Sequence, residues 1–311
     1  MGTPDFAAAS LERLMKEKDL EITVVTTPDK PQGRHMILTP SPVKKTALAG
    51  GLRVFCPPTL KDGAFEKELH AIDPEMIAVV AYGKILPGYM LSYPAYGCIN
   101  LHGSLLPAYR GAAPMQRAVM DGVKEIGVTT MYMEQGLDTG DMLEKWSAPL
   151  PEDADFGYVH DLLAYNGAEL LVSTLRRAQA GTLTPEKQDG ARATYAAKIE
   201  KADCLIDWSA RAKEIHDRVR GLSPVPLAFT FLCARNLKIV KTAVDRREGV
   251  YGAPGTVLSC TPDGVCVACG EGILTLLSLR PEGKGTMSAF DFYKGRGIAV
   301  GDRFTAQPNK E

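Results

Sequence analysis

The sequence predicts an α/β domain built on a mostly parallel sheet, followed by a small β-barrel. Strand-like and helix-like stretches alternate through the first two-thirds of the chain. The continuous apolar run 76–82 (MIAVVAY) has the character of a strand buried on both faces. Beyond Pro226, short strand-like runs separated by Gly and Pro turns take over.

Taken in order, residues 21–26 (EITVVT) read as a strand, rich in β-branched residues and followed by Pro28. Residues 38–54 are broken by Pro and Gly, and a short strand at 52–55 ends them. Residues 65–72 read as a helix closed off by Pro74. After the 76–82 run comes a second short strand, 98–101, and then a helix at 113–121 with Gly122 as its stop. Residues 127–134 alternate, with Val128, Thr130 and Tyr132 on one face. Residues 159–179 form a long amphipathic helix. Thr184-Pro185 opens a polar linker at 185–200, which divides a first domain, 1–184, from a second, 201–311. In the second domain Ser209 is expected to cap a helix at 210–220 that ends at Gly221. Strands are expected at 228–233, 237–244, 255–259, 265–268 and 273–280.

The composition narrows the function classes. At 311 residues, 45% hydrophobic and 23% charged, the chain fits neither a disordered protein, a fibrous repeat nor a coiled coil. Its longest apolar runs fall far short of the roughly 20 residues of a membrane span, so no membrane partner is expected. Seven cysteines, an odd and scattered set with no signal peptide ahead of them, suit a reducing, cytoplasmic setting. Cys266 and Cys269 have C-x-x-C spacing, but a second pair and spaced histidines are missing. They read as part of an alternating strand, and no metal is expected. The net charge of −1 hides an asymmetry: residues 191–311 carry 18 Lys and Arg against 13 Asp and Glu. A basic second half beside an acidic first half hints at a polyanionic partner.

The densest chemistry lies in residues 98–114 (CINLHGSLLPAYRGAAP). Asn100 and His102 stand two apart on a strand, so a carboxamide and an imidazole project to the same face. They sit at the strand's C-terminal end, where open α/β sheets bind ligands. Gly103, Pro107 and Gly111 break the chain beyond into a tight loop. Taken alone, the Asn-x-His pair also fits a satisfied hydrogen-bonded strand end. Residues 134–143 (EQGLDTGDML) add Asp138 and Asp141 between glycines. Either could close a local turn; Asp138 is the candidate for orienting His102 and stabilising its charged form. An amide donor, an imidazole and a carboxylate suit acyl transfer without a covalent intermediate. Ser104 as a nucleophile is less suitable, because it lies outside any G-x-S-x-G elbow.

These stretches resemble the methionyl-tRNA formyltransferase family. The matching residues are Gly2-Thr3-Pro4-Asp5-Phe6, Pro28-Asp29-Lys30-Pro31 with Gly33-Arg34, Pro40-Ser41-Pro42-Val43-Lys44, and Ala81-Tyr82-Gly83 with Ile85-Leu86-Pro87. Residues 98–107, 110–114 and 136–143 and Gly255-Thr256-Val257 continue the match in the family's order. The resemblance implies a Rossmann-like formyltransferase domain and an OB-like C-terminal barrel. It implies formyl transfer from 10-formyltetrahydrofolate to charged initiator methionyl-tRNA, with Asn100 as oxyanion stabiliser, His102 as acid/base and Asp138 as its orienter. It also implies folate contacts at Ser104, Leu105, Leu106 and Pro107, a tRNA-entering loop with Arg34, a tRNA-facing barrel and a monomer.

Two departures from the family pattern stand out. Met1 directly precedes Gly2, so the apolar first strand that the resemblance implies is expected to be absent. His35-Met36-Ile37 stands where a more basic loop tip is expected. The alternatives are a formyltransferase acting on a sugar-nucleotide amine or glycinamide ribonucleotide, and a non-catalytic nucleotide- or RNA-binding module. The second lacks a G-x-G-x-x-G after a strand.

Overall fold

The structure, a computed structural model, describes residues 1–33 and 36–308. In chain order its first elements are α1 (Asp5–Leu14), β1 (Thr23–Val25), β2 (Lys30–Gln32), β3 (Ile37–Thr39), α2 (Pro42–Ala49), β4 (Arg53–Phe55), α3 (Glu66–Ile72) and β5 (Ile77–Val79). Then come α4 (Gly88–Leu91), β6 (Cys98–His102), β7 (Arg110–Gly111), α5 (Pro114–Met120), β8 (Glu125–Tyr132), β9 (Met142–Pro149), α6 (Phe156–Gln179) and β10 (Tyr195–Ala196). The last third holds α7 (Ala212–Gly221), β11 (Ala228–Leu232), β12 (Arg235–Arg246), β13 (Val257–Thr261), β14 (Gly264–Ala268), β15 (Ile273–Pro281), β16 (Met287–Ser288), α8 (Ala289–Lys294) and β17 (Phe304–Thr305). The chain forms two compact units. One comprises Met1–Gly111, Ile126–Ala148 and His160–Ala196; the other comprises Ala112–Glu125, Pro149–Val159 and Ala197–Glu311.

In the first unit β1 runs parallel to β4, and a four-stranded sheet has the order β5-β6-β8-β9. β5 and β6 are parallel, whereas β8 runs antiparallel to β6. β6 is buried along its whole length, as a strand in mid-sheet should be. Between β1 and β5 the chain is bridged at one end only. Gly2 N–H donates to the Val25 carbonyl (3.2 Å) and Val80 N–H to the Met1 carbonyl (2.9 Å). The Met1 amino group donates to the Ala78 carbonyl at 2.6 Å. Beside this bridge lies a cavity of about 450 Å³ lined by apolar side chains such as Leu11, Val24, Ile77 and Leu171. Among the described residues no strand precedes α1.

Several first-unit elements lay outside the expected pattern, among them α1, α2 and β9. α1 buries Phe6, Ala7, Ala8 and Leu11 but starts at Pro4 without a side-chain cap, so it carries no sequence signal for its start. α2 sits inside the Pro- and Gly-broken stretch; Ser41 Oγ caps it by accepting from Lys44 N–H, and Pro42 opens it. β9 alternates between buried or half-buried and exposed positions along only part of its length. Residues 185–200, expected as a linker, are tied to the first unit through residue 196. Glu186 and Met142 exchange backbone bonds of 2.9 and 2.8 Å, and β10 pairs in parallel with β7.

In the second unit the helix expected at 210–220 begins at Ala212 instead. Ser209 does not cap it; its N–H and hydroxyl both donate to Asp207 Oδ1 (2.9 and 2.6 Å). The helix ends at Gly221, as expected, where a Cβ would sit 2.5 Å from Met120 Cγ and 3.0 Å from the Gln116 carbonyl. Its missing side chain lets α5 and α7 approach closely. The strands follow the order β13-β14-β15-β12-β11-β17, with β16 on β15. Val257 N–H donates to the Asp302 carbonyl (2.8 Å) and Phe304 N–H to the Gly255 carbonyl (2.9 Å). The chain beside the last strand therefore meets the start of the first through an isolated bridge between Thr256 and Arg303, and the sheet curls into a half-barrel. Its core holds Trp208, Ile215, Leu222, Ile239, Leu274 and Phe304 among others. Cys269 of the C-x-x-C pair is buried in this core, and burial pushes its thiol up to about 12. The described residues contain no group of three His, Cys, Asp or Glu that could hold a metal. No described helix is long and apolar enough to cross a membrane.

Candidate functional site

β6 positions the first two groups. Its odd-numbered residues Ile99 and Leu101 face the opposite way from Asn100 and His102. On the Leu101 side α6 packs close: a Cβ on Gly167 would lie 3.0 Å from the Leu101 side chain. The other face carries the polar pair. Asn100 is only 8% exposed, yet among the described residues its carboxamide makes no hydrogen bond. Its polar atoms are not among the buried ones that lack a partner, so they keep contact with solvent and are free to bond a ligand.

His102 is buried as well. Its Nε2 lies 2.8 Å from the Tyr109 carbonyl. A carbonyl only accepts, so Nε2 carries a proton, and in the neutral ring Nδ1 presents its lone pair. That nitrogen faces Asp138 Oδ2 at 3.6 Å, beyond hydrogen-bond distance. Asp138 stands in the left-handed region (φ 52°), which Asp tolerates better than most residues. Its Oδ2 accepts the Gly111 N–H at 2.8 Å. Gly111 is required here: its φ is 118°, and a Cβ would lie 2.8 Å from the Ala196 carbonyl.

The loop after β6 is pinned from below. Thr129 Oγ1 donates to the Ser104 carbonyl (2.8 Å) and accepts the Leu106 N–H (3.1 Å). Ser104 Oγ is committed to the Ala108 carbonyl at 2.6 Å. Leu106 packs in a small buried cluster with Met131 and Met142, and Leu105 lies against Gly127. Asp141 contributes its carbonyl to the Tyr132 N–H (2.9 Å). Asn100, His102, Asp138 and the 104–107 loop therefore form one cluster. Arg34 and its neighbour His35 lie outside the described residues.

Sequence reasoning missed the residues that hold this cluster in place. Tyr109 fixes the His102 tautomer. Thr129 clamps the loop, and its place in an alternating strand was the one available sign. Arg110 and Gln188 bond to each other, Nε to Oε1 at 3.0 Å and Nη2 to Oε1 at 2.8 Å. Gln188 fell in the stretch taken for a linker, where periodicity says nothing about it.

A carboxamide with no protein partner, beside an imidazole and a carboxylate, is equipped to polarise a carbonyl oxygen and to move a proton. Residues 1–175 match the formyl transferase family, and residues 198–297 match the formyl transferase C-terminal domain. A sugar 3N-formyl transferase, WlaRD, solved in the presence of dTDP and 5-N-formyl-THF, shares the fold with a TM-score of 0.66 at 18% identity, over 91% of this chain and 97% of that one. Fold and site together define a formyl transferase. The methionyl-tRNA formyltransferase of Citrifermentans bemidjiense is 46% identical over 301 residues, which cover 97% of this chain and 94% of the relative. That of Caldanaerobacter subterraneus is 47% identical over 302 residues, 97% of each. The chain belongs to the methionyl-tRNA formyltransferase family.

Proposed function

We propose that the chain transfers the formyl group from N10 of 10-formyltetrahydrofolate to the α-amino group of methionine esterified to initiator tRNA. The Asn100 carboxamide, unbonded to the protein and two residues from His102 on one strand face, is the observation that carries this reading. The names of the relatives supply the acceptor, methionyl-tRNA, and a neighbour of the same fold solved with 5-N-formyl-THF supports a folate donor.

The neutral amine attacks the formyl carbon. Negative charge develops on the formyl oxygen, and the Asn100 carboxamide N–H is placed to donate a hydrogen bond to it. The attacking nitrogen must lose one proton, and N10, as its bond to the formyl carbon breaks, must gain one. His102 is the group for this exchange, because its Nδ1 lone pair can take a proton while Nε2 stays bonded to Tyr109. Once protonated, Nδ1 becomes a donor toward Asp138, whose carboxylate then stabilises the imidazolium. Asp138 thus orients His102 and aids the proton transfer. The folate lies along Ser104, Leu105, Leu106 and Pro107. Leu106 is buried and would meet it through the main chain.

Arg34 enters the tRNA acceptor region. The C-terminal barrel offers phosphate contacts from β12, where Arg235, Lys241 and Arg246 are exposed and Lys238 half-exposed. The domains proposed are a catalytic domain at 1–184, a linker at 185–200 and a tRNA-binding domain at 201–311, working as a monomer in the cytoplasm. The test is direct: the chain, 10-formyltetrahydrofolate and charged methionyl-tRNA are combined and the acylated amine is analysed. Formyl-methionine on the tRNA supports the reading; an unmodified amine contradicts it.

A further inference from the structure

We infer that Gln188 is a positioning residue for the reaction, acting on Asp138 through the backbone of the 138–140 loop. This rests on the role proposed for Asp138. Gln188 uses its whole carboxamide. Nε2 donates to two carbonyls of one loop, those of Asp138 and Gly140, each at 2.8 Å. Oε1 accepts both nitrogens from Arg110, a side chain only 6% exposed. Two carbonyls can only accept and a guanidinium can only donate, so the network leaves one orientation for the amide.

The bonds close a ring. Arg110 N–H donates to the Thr194 carbonyl at 2.8 Å. The next residue, Gly111, gives its N–H to Asp138 Oδ2. Gln188 returns from the Arg110 side chain to the Asp138 main chain. Asp138 is therefore held at both ends, by its carboxylate and by its carbonyl. Its left-handed backbone and the 3.6 Å approach to His102 follow from both anchors. Without the second anchor the residue could relax toward ordinary φ values, carrying the carboxylate off the Nδ1 axis. Misplacements of about 1 Å at a reacting group cost on the order of 100-fold in rate.

Gln188→Glu isolates the effect. Glutamate keeps the bond to Arg110 but sets a carboxylate oxygen against two carbonyl oxygens, so the Asp138 loop is pushed away while β7 stays paired. Single-turnover rates at high enzyme concentration are measured for wild type, Q188E, Q188L, D138A and both double variants. Thermal melting and the KM for each substrate accompany them. Expected are kcat losses of about 10- to 100-fold in Q188E and Q188L, with both KM values within about twofold. In the D138A background, adding Q188E or Q188L should change the rate by less than about twofold, because Gln188 acts through Asp138. Wild-type rates in both single variants that fold, or the same fold-loss with and without Asp138, would overturn the inference. If Q188E does not fold, the Q188L pair decides alone. A near-normal rate in D138A itself would instead remove the role proposed for Asp138.

Discussion

His102 Nδ1 and Asp138 Oδ2 face each other at 3.6 Å, while the Asp138 oxygen already accepts the Gly111 N–H at 2.8 Å. The opposite ring nitrogen, Nε2, is committed to the Tyr109 carbonyl. With Nε2 donating to a carbonyl, Nδ1 of the neutral ring has no proton to offer the Asp138 oxygen. A proton passed to Nδ1 during the transfer would give that nitrogen an N–H to direct at the Asp138 oxygen.

Asn100→Ala should lower the single-turnover rate by about 100- to 1,000-fold, the usual loss for one oxyanion donor. The fold should not suffer, because the carboxamide gives up no protein hydrogen bond. Rate and melting temperature measured on one preparation check this; a large drop in both would mark Asn100 as structural.

His102→Ala and Asp138→Ala should lose most transfer activity and keep tRNA affinity, measured by filter binding. Near-normal turnover in either variant removes that residue from the chemistry. Weakened tRNA binding would make the defect one of assembly.

His216 predicts a pH dependence of stability in the second unit. Its Nδ1 pairs with Thr242 Oγ1 at 2.9 Å, and its buried Nε2 has no hydrogen-bond partner. The Asp153 carboxylate, 3.5 Å away, is largely exposed and raises the pKa only weakly. Asp217 also raises it, Arg220 and Lys213 lower it, and burial is the largest influence, holding it below the ordinary value. The folded ring is thus neutral where the unfolded ring, with a pKa of about 6.5, already binds a proton. Stability should be complete above about pH 6.5 and fall as the pH drops below it. Denaturant midpoints at pH 7.5 and 5.5 should diverge more in wild type than in His216→Gln; equal divergence would exclude the ring as the cause.

Gly221→Ala should destabilise the second unit by about 1–3 kcal/mol, since its Cβ would press on Met120 and the Gln116 carbonyl. A chemical-denaturation curve reads this directly. An unchanged or higher midpoint would show that α5 and α7 can separate at little cost.

Much of the fold is legible in the sequence because burial on both faces leaves its mark on composition. The runs 76–82 and 98–101 stand out for that reason, and so does the Asn100–His102 pair, two residues apart on one strand. What is not legible depends on contacts between distant residues. α1 has no side-chain cap to announce it. Gly221, a stop by every local rule, is also a close-approach glycine for a helix about 100 residues earlier in the chain. Tyr109 and Gln188 act through carbonyls, which every residue has, so their types and spacing carry no signal of their roles.

The proposed activity is tested most directly by acceptor choice. Initial rates are compared for charged initiator methionyl-tRNA, charged elongator methionyl-tRNA and a sugar-nucleotide amine, each with the same concentration of 10-formyltetrahydrofolate. Rapid formylation of the initiator tRNA, slower formylation of the elongator and none of the sugar amine is the predicted result, and Arg34→Ala should narrow the gap between the two tRNAs. Formylation of the sugar amine in preference to either tRNA would contradict it.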